Sequence, residues 1–548
     1  MNTASKQALF TQNWAYGVNT TEPVIVLYRD AGNQAIAVVF ENRGNLMSMQ
    51  KFKRNSRTLT LVAAIGSAGM AGTASAAVHL SDNGQGQVLI YPYYTTRAGQ
   101  DTYLSVLNST ALSKALRVRF SEGKNGREVL SLSVYLAPYD IWTAAVVNTP
   151  DGAKLVTADK SCTAPALPAG GKSFVNFAYW GIAIEGIQQS GGDGETTSLD
   201  RTREGYFEII EMGTITNTAI NAAITHASGV PANCAVVQAS TMDMRPASTL
   251  IVGGQSARAF KATGGLSGTA SLVNVAGGTD YGYAPVVLEA FSPSSVENIW
   301  DYPGSIFPDL TFADLTSLVL YKGNVVSSSW NRGSDAVSAL LMHDNIINEY
   351  VLDNTTLSGT DWVITMPTKR YNVPVHNPSL AMDVTRLFSP FTSKFWGNGA
   401  CELYGAGFYN RENAFDAYLY FTGQEPVERL CWVSTVVSHF NGNIYNDLLG
   451  SKNGIGFHTS QFENGWLRIT FGASSGYVMN GQTDGNGVVH SQAAHSLTSM
   501  NGDTYFGLPT VGFMVQNFIN QNAAPGVLAT YGGNFNHKYT TRISRLLP

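Results

Sequence analysis

The chain has 548 residues, with 34 Lys and Arg against 39 Asp and Glu, a formal net charge of −5 and only 13% charged residues. That balance excludes a protein held to nucleic acid or to an anionic membrane by electrostatics. The length exceeds one ordinary core, so two domains or one large multi-sheet body are expected.

The first organised stretch is Met49 to Ala77. Lys51, Lys53, Arg54 and Arg57 form a basic region, Leu59 to Ala71 is uncharged and mostly apolar, and Ala74-Ser75-Ala76 supplies small residues for cleavage ahead of Ala77. This order predicts a secretory signal peptide at 49–76. The apolar part is too short to span a bilayer, so no transmembrane span is expected. No Cys follows the cleavage site, and Arg54 and Arg57 are not adjacent, which speaks against lipid attachment and twin-arginine export. Residues 1–48 then read as a spurious upstream extension, with Met47 and Met49 better starts than Met1. Val24 to Tyr28 and Ala35 to Phe40 nonetheless have strand character. Removing 76 residues leaves 472, with 27 basic and 36 acidic side chains and a net charge of −9.

Residues 77–300 are expected to form an N-terminal β-sandwich. Gln87 to Thr95 (QVLIYPYYT), Asp101 to Asn108 (DTYLSVLN), Leu116 to Ser121 (LRVRFS), Val129 to Leu136 and Ile141 to Val147 follow one another with Gly, Asn and Pro punctuation. Such spacing points to an antiparallel sandwich of immunoglobulin-like flavour. In DTYLSVLN the alternation puts Tyr103, Ser105 and Leu107 on one face and Leu104, Val106 and Asn108 on the other. In LRVRFS it places Leu116, Val118 and Phe120 inward and Arg117 and Arg119 outward on a solvated face. Residues 148–245 read as a long insertion containing one strand, Glu204 to Met212 (EGYFEIIEM), and a short helix over Asn217 to His226. Strand patterns return over 249–291.

Ser292 to Asp314 is rich in Pro, Asp and aromatics and is taken as the boundary, so that 301–548 forms a second β-rich domain packed on the first. Leu318 to Tyr321, Asp361 to Met366, Cys431 to Val437 and Trp466 to Phe471 are its strands. Ser334 to Val351 carries apolar residues at helical spacing with Ser334-Asp335 as a cap, two strands being the alternative. The predicted class is all-β with a few short helices.

Four cysteines, Cys162, Cys234, Cys401 and Cys431, allow three pairings. Their separations favour Cys162–Cys234 and Cys401–Cys431, each contributing about 3–4 kcal/mol, in an oxidising compartment. No Cys or His spacing suits zinc. Gly472 to Gly476 matches G-x-S-x-G without a following helix, and Gly170-Gly171-Lys172-Ser173 lacks the first Gly of a phosphate loop. The polar loops Gly191 to Asp200 and Thr483 to Gly487 offer a weak calcium reading, with ordinary turns the simpler one. His343-Asp344, His376, His439 and His458 lack metal-ligand geometry. Tyr91, Tyr93 and Tyr94 are sugar platforms or assembly contacts if exposed and core if buried. Glu349, Asp353 and Asp361 beside Trp362 are the candidate ligand-facing group, for a carbohydrate ligand or a glycosidase pair.

VYLAPYDIWTA at 134–144, TREGYFEIIEMG at 202–213, NEYVLDNTTLSGTDWVITMPTKR at 348–370 and LCWVSTVV at 430–437 resemble a family of exported, β-rich Gram-negative bacterial proteins with no assigned reaction. The resemblance covers most of the mature chain. It implies an envelope or extracellular location and carries over no catalytic residue. The expected role is structural, in assembly or adhesion, with the chain itself, other envelope components or polysaccharide as partners. The alternative is a carbohydrate-binding or carbohydrate-active secreted protein of the same fold class.

Overall fold

The computed structural model describes residues 77–179, 192–239, 244–246, 248–375, 386–417, 429–441, 446–459, 462–471, 495–524 and 527–545, with strand backbone also at 24–29, 35–43, 46–51, 482–483 and 489–490. The chain divides into two compact units, Met1–Ser75 and Ala76–Pro548. In the first, Val24–Arg29, Ala35–Arg43 and Leu46–Lys51 form a three-stranded antiparallel sheet. Residues 49–51 of the expected signal peptide lie in that sheet, and 52–76 fall outside the described residues.

The second unit is all-β with short helices. Its largest sheet has nine strands in the order Cys162–Ala164, Glu128–Leu136, Ser113–Glu122, Glu204–Ile215, Val88–Thr95, Val286–Glu289, Val78–Leu80, Thr316–Tyr321, Asn324–Ser329. A seven-stranded sheet runs Lys172–Ser173, Ala153–Val156, Ile141–Asn148, Asp101–Asn108, Ala270–Asn274, Thr279–Tyr283, with Leu266–Ser267 also pairing on Asp101–Asn108. The inward residues of the two sheets form one core, in which Leu116, Val118 and Phe120 meet Leu104, Val106 and Trp142. Tyr91 stacks on Phe207 at 4.2 Å within it. Tyr91, Tyr93 and Tyr94 are all buried, so they are core and not sugar platforms.

A second sandwich is made from two five-stranded sheets. One contains Gly454–His458, Ser434–Phe440, Gly359–Thr365, Val511–Ala524 and Val527–Asn536; the other contains Phe415–Ala417, Gly405–Asn410, Asn464–Thr470, Asn345–Val351 and Lys538–Thr540. Trp362, Ile364, Val437 and Met514 pack against Phe408, Leu467 and Ile469 between them. The opposite side of the first of these sheets, through Val363, Val436, Phe513 and Val515, joins the core of the larger sandwich.

Four expectations change. The boundary at 300/301 is crossed by the nine-stranded sheet, because Thr316–Tyr321 pairs in parallel with Val78–Leu80 and carries Asn324–Ser329 with it. The segment 148–245 is no excursion: its strand Glu204–Ile215 sits between Ser113–Glu122 and Val88–Thr95 at the centre of the sheet. Arg117 and Arg119 do not face solvent, since every residue of Ser113–Glu122 is buried. A further layer, made of the chain from 291 to 314 and the helices Thr218–Ile224 and Gly333–Leu341, covers that outer face. Arg119 pairs with Glu128 at 2.9 Å and Glu208 at 3.3 Å, and Arg117 donates to the Asp301 and Tyr302 carbonyls at 3.1 and 2.7 Å. Ser334 to Val351 is divided, with a helix to Leu341 and then the strand Asn345–Val351.

Buried charge also joins the two sandwiches. The Glu204 carboxylate accepts from Arg97 Nε at 2.7 Å and Tyr93 at 3.0 Å, and from the Ser451 hydroxyl at 2.5 Å and Lys452 amide at 2.9 Å. Glu122 organises the turn after its strand by accepting the amides of Lys124, Asn125 and Arg127, which suits Gly126 at φ +66°. The disulfides are Cys162–Cys234 and Cys401–Cys431. The first ties the edge strand Cys162–Ala164 to the helix Ala235–Gln238.

Candidate functional site

The outer face of the seven-stranded sheet lines a groove of about 980 Å³. Its floor comes from strict alternation on three neighbouring strands. Asp101–Asn108 turns Tyr103 and Ser105 outward, Ile141–Asn148 turns Thr143, Ala145 and Val147 outward, and Ala270–Asn274 turns Ser271 outward. Val156 and Thr157 close one side and Gly282 the other. The volume lies at the upper end of the range for small-ligand sites. A second cleft, around Gln85 and Thr263, is about 200 Å³ and below that range.

The chemistry of the groove is set by where its hydroxyls point. Thr157 donates to the Thr143 carbonyl at 2.6 Å. Ser105 Oγ and Thr269 Oγ1 lie 3.2 Å apart, and Ser271 donates to Asp280. Thr143 Oγ1 lies 3.5 Å from the Asp159 carboxylate, so these hydroxyls are already engaged by protein groups, and Ala145, Val147, Val156 and the exposed ring of Tyr103 lie beside them. Among the described residues the lining carries no charged side chain.

The four residues singled out from the sequence are brought close along the chain but do not share a ligand-facing surface. Trp362 is wholly buried and donates Nε1–H to the Glu349 carbonyl at 3.1 Å, so its ring is unavailable for stacking on a sugar. Asp361, on the opposite face of the same strand, is also buried and accepts the Leu448 and Leu449 amides at 3.0 and 2.9 Å. Burial, with Asp447 nearby, pushes its carboxyl up to about 8. Glu349 is exposed, and Asp353 caps its own turn through the Thr355 hydroxyl and amide, which hold it below the usual carboxylate range. No carboxylate pair of the kind a glycosidase needs is formed by these groups.

Other strongly shifted groups are sealed inside the protein. Burial raises Glu208 to about 7 and lowers Lys369 to about 8, the latter donating to the Ala400 and Leu430 carbonyls at 2.5 and 3.2 Å. Perturbed groups mark active sites when they line a cleft; these line none of the clefts above. In the loop Gly191 to Asp200, Asp193 binds Arg201 at 2.9 Å, Asp200 binds Arg97 at 2.8 Å, and Glu195 pairs with Lys124. The carboxylates that suggested calcium are therefore paired with cations instead of converging, and no metal-holding cluster is found among the described residues.

His343 faces Thr510 Oγ1 at 3.1 Å, Asp344 pairs with Arg542 at 3.0 Å, and His439 meets the Thr360 carbonyl at 3.3 Å. Gly472 to Gly476, His376 and most of Thr483 to Gly487 lie outside the described residues. The alternation in the sequence puts Tyr103 and Ser105 on one face without saying that it faces out, and it does not reveal the groove, because the strands that build it are brought together from positions as far apart as 103 and 282. No protein-family model, curated protein or solved structure matches this chain.

Proposed function

We propose that the protein is an exported, disulfide-stapled β-sandwich that acts by assembly with protein partners at the cell envelope and turns over no substrate. The observation that carries this reading is the groove: wide, with no charged residue in its own lining, and with hydroxyls already hydrogen-bonded to neighbouring protein groups. A polysaccharide site needs free donors and acceptors at its surface. A protein interface needs an apolar, charge-depleted centre, which this groove supplies. Export is supported by the basic and apolar run ahead of Ala77, by the compact unit beginning at Ala76, and by two disulfides, which suit an oxidising compartment. Among the described residues no helix is long and apolar enough to cross a membrane. The resemblance to exported envelope proteins agrees with this placement.

The test is sedimentation velocity of the oxidised chain beginning at Ala77, across a concentration series. The expected result is growth of larger species with concentration and their loss in Thr143→Arg, which puts a charge in the groove. A monomer at every concentration, with binding to a neutral glycan that Thr143→Arg removes, would replace this reading with the carbohydrate one.

A further inference from the structure

We infer that Arg117, Ser133, Tyr135 and Trp300 form an internal site for a small monovalent anion of chloride size, roofed by residues 300–305. The site lies on the outer face of the nine-stranded sheet, away from the groove, and does not depend on how the protein assembles.

All four side chains are sealed from solvent: Arg117 and Ser133 are 0% exposed, Tyr135 1% and Trp300 4%. Arg117 and Ser133 stand opposite each other in the ladder between Ser113–Glu122 and Glu128–Leu136, and Tyr135 follows two residues on, so the three share one face. Trp300 belongs to the same buried cluster as Tyr135. Arg117 Nη2 donates to the Asp301 and Tyr302 carbonyls, and Ser131 donates to the Ser305 carbonyl at 3.1 Å, which fixes the roof over that face. Yet Arg117 Nε and Nη1, Ser133 Oγ, Tyr135 Oη and Trp300 Nε1 make no hydrogen bond. Buried polar atoms are nearly always paired. Five unpaired ones on four neighbouring side chains point to a ligand.

The chemistry of the unpaired set selects an anion. Guanidinium and indole nitrogens only donate, and each hydroxyl can turn its hydrogen to a ligand. A water accepts two hydrogen bonds and brings two hydrogens that need acceptors, whereas an anion accepts from every side. The charge agrees. Arg119 has Glu128 at 2.9 Å and Glu208 at 3.3 Å, while Arg117 has no carboxylate within ion-pair distance among the described residues. Glu128 and Asp301 act on Arg117 from farther off: Glu128 is held by Arg119, and Asp301 accepts the Tyr302 amide at 2.8 Å and the Ser305 hydroxyl at 2.7 Å. A buried cation needs a counter-charge close by, and a single guanidinium calls for a single negative charge. Burial raises the Tyr135 hydroxyl, and Trp300, Arg117 and Ser133 oppose that rise, because each favours negative charge at the Tyr135 oxygen. The same three groups favour an anion lodged beside it. Full burial of all four side chains leaves no outlet for a larger ligand, so the anion is a small one.

The experiment uses the full mature chain dialysed into sodium gluconate, whose anion is too large for the site. Thermal melts are recorded as sodium chloride replaces gluconate at constant ionic strength, and crystals grown in sodium bromide are examined for the anomalous signal of bromide. The melting temperature should rise with chloride and then follow the logarithm of its concentration, as it does for a ligand bound only by the folded chain. A bromide peak should lie among Arg117, Ser133, Tyr135 and Trp300. Arg117→Met should abolish the chloride response. Because Arg117 also holds the roof, Trp300→Phe and Ser133→Ala supply the second reading: each keeps that grip, removes one donor, and should weaken the apparent chloride affinity roughly tenfold or more. A melting temperature that is the same in chloride and gluconate, a water or no bromide at the four side chains, or a chloride response unchanged in Trp300→Phe and Ser133→Ala would overturn the inference.

Discussion

Arg201→Met tests whether buried charge holds the larger sandwich together. The Arg201 guanidinium is buried, donates Nη2–H to Glu122 at 3.0 Å and to Asp193 at 2.9 Å, donates Nη1–H to the Thr196 carbonyl at 3.1 Å, and lies over the Tyr179 ring at 4.1 Å. Methionine keeps much of the packing and removes the charge. Both carboxylates are then left buried with only amide donors: Lys124, Asn125 and Arg127 on Glu122, and Glu195 with the Asn125 side chain on Asp193. Breaking one partner of a buried pair costs about 3–5 kcal/mol, a large part of the ~5–15 kcal/mol that holds a typical protein folded. With a urea dependence above about 3 kcal/mol/M for a chain of this size, the midpoint should fall by on the order of 1 M.

The effect should also depend on pH. Burial pushes the Asp193 carboxyl up, and Arg201, Glu195 and Asn125 more than offset this and hold it below the usual range. In the wild type that contribution is present above the carboxylate's unfolded pKa and is lost as pH falls through the folded value. In Arg201→Met burial acts with less opposition, so the gap between the two proteins should narrow from pH 7 toward pH 4. Urea unfolding followed by tryptophan fluorescence at both pH values measures it. A midpoint shift too small to detect at pH 7, or one of equal size at pH 4, refutes the reasoning.

Three further outcomes follow from the same structure. Burial lowers His343 and His439 to about 3 and His537 to about 4, so between pH 6.5 and 4 the unfolded chain takes up protons that the folded chain refuses; stability should fall on acidification through that window, and His537→Gln should flatten the slope of the urea midpoint against pH. Asp361 keeps its proton up to about 8, whereas the unfolded carboxyl loses it near 4, so stability should decline as pH rises between those values, and Asp361→Asn should remove that decline in a pH series of thermal melts. Cys401→Ser with Cys431→Ser should lower stability by about 3 kcal/mol and, because sheets and cores run through position 300, should give one unfolding transition and no surviving protease-resistant N-terminal half.

Much of the fold is readable in local alternation, and what is not readable depends on pairs distant in sequence. Asp101–Asn108 appears with the expected limits and faces because one side of it is open to the groove and the other to the core. Ser113–Glu122 shows the same alternation, yet its arginines are buried, because Arg119 pairs with Glu208, 89 residues away, Arg117 bonds the carbonyls of Asp301 and Tyr302, and the covering layer comes from distant segments. The Pro- and Asp-rich run before Asp314 looks like a linker by composition. It is ordered because its acids cap its own turns and Arg117 holds its carbonyls. Trp362 and its neighbouring acids looked like a ligand group because they are adjacent in sequence, but alternation on Gly359–Thr365 sends Asp361 and Trp362 into two different cores.

The central claim is that this chain is exported and works as an assembly. Fractionation of the cells that make it, with native size analysis and intact mass of the material in each fraction, tests that claim most directly. The account predicts a polypeptide beginning at Ala77, with both disulfides formed, in particles of several copies in the envelope or outside the cell. A soluble periplasmic monomer, or a cytoplasmic chain retaining residues 1–48, would contradict it.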